Sequence, residues 1–249
     1  MQKLVLHIPH SSTGIPINDG YIASKGDVDK EILKLTDWYT DDLFQHAKAI
    51  PVIAPFSRIF CDVERYPDDS DEVMAKVGMG MVYERLDSGK PLRVINETLR
   101  QEIYNRFYKV HHRHLSSAIE EQLKDYGKCV IIDCHSFLNN PFKRDLDQKT
   151  PRPQIDIGTD NFHTSKKLCE RSLKFFQSRW FSCELNRPYS GCMVPHEYST
   201  NKRVESIMIE VNRDLYLEKG TNTKSKDYDS TKKLLNEFLE EIWSNYLIL

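Results

Sequence analysis

Two histidines and a glutamate stand where apolar segments of the chain end, and these residue types together suit metal chemistry. The residues and the segments before them are His10 after 4–9, His135 after 129–134 and Glu210 after 206–209. Two imidazoles and a carboxylate are the donors of an open zinc site, in which the ion lowers the pKa of bound water. The sequence therefore suggests a metal-dependent hydrolase, provided that the fold brings the three side chains together.

The apolar segments predict the elements that must position these residues. Short runs rich in Val and Ile are typical of buried strands in an α/β sheet, and ligands bind beyond the carboxyl ends of such strands. Helical periodicity alternates with these strands over residues 29–49, 93–126, 163–178 and 231–246. This alternation favours a mixed, mostly parallel sheet with helices on both faces.

The remaining segments are predicted to be extended or irregular. Residues 51–65 have an extended pattern, within which we expect a strand at 59–64. Three segments rich in polar residues, Gly or Pro are predicted to be loops, at 66–92, 137–160 and 184–200. Long connections of this kind more often carry function than serve as simple links.

Composition predicts a soluble protein with a single domain, residues 1–249. The 249 residues are 39% hydrophobic and 29% charged, which is ordinary for an α/β domain. The net charge of −2 gives no general attraction to nucleic acid or membranes. The six cysteines form no C-x-x-C pair, and neither a signal peptide nor a membrane-spanning run is recognised, so we expect a reduced, cytoplasmic protein.

Each candidate residue also has a structural interpretation. A hydrogen bond at a strand end explains His10 equally well. Asp133 and His135 lie on the same side of their strand, so Asp133 either orients a ligand histidine from behind or joins an internal hydrogen-bond network. Glu210 suits a general base whose pKa is raised by burial, or alternatively the partner of an arginine.

Two other patterns are interpreted as structural. The histidine-rich segment 111–114 lacks the acid of an H-E-x-x-H motif, so we expect helix surface and one inward ring. The chain has no G-x-S-x-G sequence, which argues against a serine hydrolase, and no glycine-rich nucleotide loop.

Six short segments, taken in order along the chain, resemble the N-formylglutamate amidohydrolase family. They are residues 7–11, 36–38, 57–65, 132–136, 156–159 and 209–210. The resemblance implies an α/β fold of the phosphorylase/hydrolase-like type, a three-layer α/β/α sandwich around a mixed, mostly parallel central sheet, related to zinc carboxypeptidases and cell-wall amidases. It also implies one zinc ion per chain, or another divalent metal, and hydrolysis of a small acidic N-acyl amino acid. With N-formyl-L-glutamate the products would be formate and L-glutamate.

The resemblance assigns roles to particular residues. The implied metal ligands and general base are His10, Asp37, His135 and Glu210. Asp37 also suits a helix cap. Asp62 and Glu64 stay open as alternative third ligands, because both would lie on one side of the strand expected at 59–64. Where the family usually has Asp-Leu-Asn-Arg, this chain has Glu64 in place of the Asn, which adds negative charge near the substrate.

The resemblance also points to substrate-binding residues, namely Arg58, Arg65, Ser11 and Gly191. Arginines suit this role because a guanidinium holds a carboxylate through two parallel hydrogen bonds. An ion pair between Arg58 and Asp62 would instead make Arg58 structural. Arg187, in the loop before Gly191, is a further candidate.

Two other functions remain open at this point. One is a zinc peptidase or amidase that acts on peptides or cell-wall fragments, and the other is a binding module that keeps the fold without catalysis. The near-neutral charge and the missing signal peptide argue against a wall substrate. The presence of all four implied ligand and base residues argues against a decayed site.

Overall fold

Continuous apolar runs bury both faces of the four central strands, and the sheet lies between helices as a result. The computed structural model describes residues 1–247. Its six strands are β1 (Leu4–Ile8), β2 (Ala49–Ile53), β3 (Cys129–Phe137), β4 (Ile155–Gly158), β5 (Cys183–Leu185) and β6 (Val204–Asn212). The sheet order is β2-β1-β3-β6-β4-β5. All neighbouring pairs are parallel except β4 and β6, so the expected mixed, mostly parallel sheet is confirmed.

Six α-helices accompany the sheet. They are α1 (Lys25–Leu35), α2 (Thr40–Leu43), α3 (Glu97–Ile103), α4 (Lys109–Tyr126), α5 (Lys166–Gln177) and α6 (Tyr228–Ile242). A π-helical turn at Tyr104–Tyr108 joins α3 to α4, and a second one at Trp243–Leu247 follows α6. Gly127 ends α4 in a left-handed conformation (φ 75°), as its sequence position indicates. No helix within residues 1–247 combines the length and apolarity needed to cross a membrane.

The two faces of the sheet bury different helices. Leu6 and Ile132 point to one face and belong to the cluster that contains the apolar sides of α5 and α6. Val5 and Ile131, each one residue away, point to the other face and pack with Leu115 of α4. This arrangement is the three-layer α/β/α sandwich implied by the family resemblance.

The prediction of one continuous helix over residues 29–49 is wrong. The chain leaves α1 at Thr36 in an extended conformation, and Tyr39 adopts a left-handed one (φ 64°) before the single turn of α2. The amide of Asp37 donates to the carbonyl of His10 at 2.9 Å, outside both helices. Local periodicity cannot predict this break, because it is stabilised by a hydrogen bond to His10, which is distant in sequence.

The strand expected at 59–64 is also wrong. Strand β2 ends at Ile53, and the chain then turns across the carboxyl edge of the sheet. The carbonyl of Ser57 accepts hydrogen bonds from the amides of Phe60 and Cys61, which closes a turn. The β-branched side chains of this segment are typical of a strand, so the sequence pattern did not predict the turn. The predicted loops at 137–160 and 184–200 contain β4 and part of β5, two strands too short to give a clear alternating pattern.

Candidate active site

Neighbouring strands align polar side chains in rows on the face of the sheet that carries α4. In the register of β3 with β6, His135 pairs with Glu210, and in that of β6 with β4, Glu210 pairs with Asp156. The next row begins with His7 opposite Asp133. Paired residues on adjacent strands project to the same side. The apolar face that serves α4 therefore becomes polar toward the carboxyl edge.

Three donor side chains converge at this edge. His10 follows β1, Asp37 occupies the break between α1 and α2, and His135 lies on β3. Asp37 Oδ2 is 3.0 Å from His135 Nδ1 and 3.7 Å from His10 Nδ1. All three side chains are buried, and each offers a donor atom within 4.8 Å of the others. The side chains that the sequence suggested as metal ligands are thus close enough to share one ion.

Carboxylates hold both imidazole rings from their other sides. Asp62 Oδ1 lies 2.8 Å from His10 Nε2. Asp133 Oδ1 and Glu64 Oε1 each lie 3.1 Å from His135 Nε2. A carboxylate at one ring nitrogen fixes the ring and leaves the lone pair of the other nitrogen for a metal. Asp62 and Glu64 therefore approach the Nε2 atoms, whereas Asp37 approaches the Nδ1 atoms.

Two buried atoms of the suggested ligand and base residues have no hydrogen-bond partner within residues 1–247. They are His10 Nδ1 and Glu210 Oε2. An unsatisfied buried polar atom is costly, so a native protein retains one mainly where a ligand, ion or water satisfies it. A divalent cation among the donor atoms would satisfy His10 Nδ1, and a water or substrate beside it would satisfy Glu210. The residues present fit a metal of the zinc type, which binds imidazole nitrogen and carboxylate oxygen.

Arg213 keeps the Asp37 carboxylate charged. Its Nη2 donates to Asp37 Oδ1 at 2.9 Å, and its Nη1 donates to the carbonyl of Lys34 at 2.9 Å. Burial alone would raise the pKa of Asp37, but contacts with His10 and His135 and the charge of Arg213 lower it well below the usual range. Sequence reasoning missed Arg213. The signal was a charged residue directly after the apolar run of β6.

Glu210 has the opposite electrostatic character. Its side chain is buried, and burial raises its pKa well above the usual value, against the lowering effect of His135. The nearby carboxylates of Asp37 and Asp156 add to the increase. Burial likewise raises the pKa of Asp156 to about 7. A carboxyl group with a raised pKa can both accept and return a proton near neutrality.

A chain of buried polar groups extends behind His135. Asp133 Oδ1 is 2.7 Å from His7 Nδ1, and His7 Nε2 is 2.9 Å from His111 Nε2. Burial lowers the pKa of His111 to about 2, so this ring stays neutral. His111 is the inward ring expected from the histidine-rich segment, but its contact with His7 was not foreseen.

A cavity of about 270 Å³ opens above the donor atoms. Its polar lining includes Arg58, Arg65, Glu64 and Glu210, and its apolar lining includes Leu35, Met74, Met79, Phe137, Phe142 and Leu146. A larger groove of about 1000 Å³ shares Glu64, Arg65, Ser190 and Met208 with this cavity. The cavity and the groove therefore adjoin along these four residues.

The two arginines of the cavity have different partners. Arg58 donates to Asp62 Oδ2 at 3.1 Å and to the hydroxyl of Tyr83 at 3.2 Å. Arg65 Nε lies 3.5 Å from Asp62 Oδ2, and this nitrogen has no hydrogen-bond partner in the described part of the chain. Arg65 is therefore the more available of the two, and Arg58 has the ion pair that the sequence left open.

The other suggested substrate residues lie farther out. Arg187 pairs with Glu184 at 2.7 Å and is absent from the lining of the cavity. Gly191 lines the adjoining groove, while Ser11 lines neither space among the described residues.

An α/β sheet that presents buried imidazoles, acids and arginines at its carboxyl edge defines a hydrolytic type of enzyme site. The chain belongs to the N-formylglutamate amidohydrolase family, whose sequence model matches residues 2–217. All six segments on which the resemblance was based lie within that match. The protein is therefore an amidohydrolase, an enzyme that hydrolyses amide bonds.

Solved structures agree with this assignment. The N-formylglutamate amidohydrolase from Ralstonia eutropha JMP134 superposes with a TM-score of 0.86 at 21% sequence identity, covering 98% of this chain and 95% of its own. A gene product from Agrobacterium tumefaciens superposes with a TM-score of 0.71 at 19% identity, covering 98% of this chain and 91% of its own. At these identities the likeness establishes the fold. No curated protein sequence matches the chain significantly.

The ion pair between Arg213 and Asp37 leads to a prediction about stability. Arg213→Met leaves a buried carboxylate without its cation, so the free energy of unfolding should fall by about 3–5 kcal/mol. Urea denaturation in the presence of a chelator measures this effect on the metal-free protein. Arg203→Met, at an exposed arginine, is the matched control and should leave the midpoint nearly unchanged. Equal midpoints for the two variants would show that the ion pair contributes nothing.

Proposed function

We propose that this amidohydrolase is a cytoplasmic enzyme that hydrolyses N-formyl-L-glutamate to formate and L-glutamate, with one zinc ion held by His10, Asp37 and His135. The observation that carries the proposal is His10 Nδ1, which has no hydrogen-bond partner among residues 1–247 and lies 3.7 Å from Asp37 Oδ2, the oxygen that His135 Nδ1 approaches to 3.0 Å. Membership of the family supplies the reaction class. Another divalent metal with similar ligand preferences would serve the same chemistry.

The ionised state of Asp37 suits a metal ligand. A divalent ion at this position supplies a Lewis acid that polarises a carbonyl group and lowers the pKa of bound water. Asp37 stays ionised because Arg213 and the two imidazoles lower its pKa. Asp62 and Asp133 hold the rings of His10 and His135 so that both Nδ1 atoms face the same point.

Glu210 is the proposed general base and acid. It lies beside His135 in the register of β3 with β6, and its Oε2 faces the site without a partner. It takes a proton from the attacking water and returns it to the leaving nitrogen of the amide. The raised pKa suits both transfers, because a strongly acidic carboxylate would be a poor base for the first.

Arg65 is the proposed anchor for a substrate carboxylate. Its side chain is 24% exposed where cavity and groove adjoin, compared with 16% for Arg58. Arg58 contributes indirectly. Because Arg58 forms an ion pair with Asp62, Arg65 is not needed to balance that carboxylate and can bind substrate. Glu64 reduces the net positive charge beside Arg65.

A second candidate substrate class is favoured by the groove. A formyl group needs little space, yet the cavity adjoins a channel of about 1000 Å³ along Glu64, Arg65, Ser190 and Met208. This channel has room for a longer acyl group or a peptide. An amidase acting on such substrates would use the same metal ligands and the same base.

The substrate assignment predicts the outcome of a hydrolysis screen with zinc present. N-formyl-L-glutamate should release formate with a higher kcat/KM than N-acetyl-L-glutamate, N-formyl-L-methionine or glutamyl dipeptides. Chelation should abolish turnover, and added zinc should restore it. Faster cleavage of the N-acetyl compound or of the dipeptides would contradict the assignment to N-formyl-L-glutamate and favour substrates with a longer acyl group or a peptide.

The role of Glu210 predicts a separation of binding from catalysis. Glu210→Gln should bind zinc with unchanged stoichiometry and should lower kcat by about 10²–10⁴-fold, since the amide cannot accept the proton. Zinc is measured by metal analysis after gel filtration, and kcat by formate release. Glu205→Gln, on the same strand but paired with Lys128 at 3.1 Å, is the control and should keep full activity. A fully active Glu210→Gln enzyme would exclude Glu210 as the base.

The role of Arg65 predicts a charge-dependent loss of affinity. Arg65→Ala should raise KM for N-formyl-L-glutamate about tenfold more than for N-formyl-L-glutamine, because these substrates differ only in the side-chain charge. Steady-state kinetics with both substrates tests this, with Arg203→Ala as the control. An equal rise for both substrates would mean that Arg65 does not contact the side-chain carboxylate.

A further inference from the structure

The segment Asn186–Gly191 forms one wall of the substrate cavity. Pro188, Tyr189 and Ser190 line the cavity together with the metal-ligand side chains and Glu210. The segment has no helix or strand of its own, and both of its ends, Asn186 (φ 55°) and Gly191 (φ 92°), adopt left-handed conformations. Its position must therefore be set by contacts with the rest of the protein.

Asp156 provides the main contact. It is fully buried on β4, and its two carboxylate oxygens accept two backbone amides of the segment. Asp156 Oδ1 accepts from the amide of Arg187 at 2.9 Å, and Oδ2 accepts from the amide of Tyr189 at 2.8 Å. Hydrogen bonds to a buried carboxylate are stronger than those between neutral groups. One side chain thus fixes two alternate residues of the wall.

The three residues after Asp156 contact the same segment. The carbonyl of Ile157 accepts the amide of Asn186 at 2.9 Å. The amide of Thr159 donates to Asn186 Oδ1 at 2.8 Å, and Asn186 Nδ2 donates to Thr159 Oγ1 at 2.8 Å. A Cβ atom at Gly158 would collide with the carbonyl oxygen of Gly191 and with Met208, so glycine permits the close approach. The motif 156–159 therefore holds the segment along its whole length.

We propose that Asp156 is a positioning residue that holds the Asn186–Gly191 wall in place and thereby sets substrate affinity. The inference rests on the proposed function only in that the cavity binds the substrate. Asp156 pairs with Glu210 in the register of β4 with β6, so the wall is fixed relative to the proposed base. Substrate contacts made by the wall then lie at a constant distance from Glu210.

Tyr189 of this wall also contacts a second segment of the cavity lining. The hydroxyl of Tyr189 donates to Asp145 Oδ2 at 3.1 Å, and Arg152 Nη2 donates to the same oxygen at 2.7 Å. Asp145 lies between Phe142 and Leu146, two apolar residues of the cavity lining. Loss of the Tyr189 contact therefore increases the mobility of both segments. Part of the substrate's binding free energy must then be used to order them, which weakens affinity.

The test compares Asp156→Ala, Asp156→Asn and the control Glu184→Gln. Glu184 contacts the side chain of Arg187 at the surface, so this control alters the same residue without affecting its amide. Asp156→Ala should raise KM for N-formyl-L-glutamate about tenfold or more, consistent with the loss of two hydrogen bonds to a buried carboxyl group, while zinc content and kcat, each variant being measured at its own pH optimum, change less than about threefold. Asp156→Asn keeps one acceptor and should give an intermediate KM.

Hydrogen exchange supplies a readout that does not depend on turnover. The amides of Arg187 and Tyr189 should lose protection in Asp156→Ala and keep it in Glu184→Gln. Unchanged exchange at both amides, or a lower kcat with unchanged KM, would overturn the proposal. If the wild-type enzyme releases no formate, the proposed substrate fails, and the exchange result still decides whether Asp156 holds the wall. Should Asp156→Ala not fold, Asp156→Asn carries both measurements.

Discussion

The charged carboxylate of Asp37 is the constraint on which the site depends. It lies between two imidazoles and a guanidinium, and all of these groups are removed from water. A buried carboxylate is tolerated only when cations and hydrogen bonds compensate for its lost hydration. This requirement ties the break between α1 and α2 to the ends of β1, β3 and β6. The elements that carry the donor set are thereby held at one edge of the sheet.

The face of the sheet beneath α4 changes character along the strands. At its amino end Val5 and Ile131 pack with Leu115 as an ordinary core. Two residues later along each strand, His7 and Asp133 occupy the same face. Buried polar groups must be hydrogen-bonded to one another, so a network replaces the apolar contacts. That network reaches His135 and holds its ring, which turns the polar part of the core into support for the site.

Part of this arrangement follows from sequence because local patterns report it. Apolar runs located β1, β3 and β6, and the polar residues at their ends predicted which side chains would meet at the carboxyl edge. The family resemblance added Asp37, which no periodicity indicates. The same local logic failed at 59–64, where alternating side chains suggested a strand but main-chain contacts of Ser57 make a turn. Even so, Asp62 and Glu64, which follow that turn, contact His10 and His135 respectively.

Sequence by itself determined the sheet class, the family and which polar side chains meet at the carboxyl edge of the sheet, because strand runs and short motifs consist of neighbouring residues. Tertiary structure alone decided which nitrogen of each histidine faces Asp37, that Arg213 pairs with Asp37, and that Asp156 accepts two amides from the wall of the cavity. Each of these contacts joins residues far apart in the chain. Their geometry depends on strand register and on the position of the break between α1 and α2. No local sequence pattern predicts either of these.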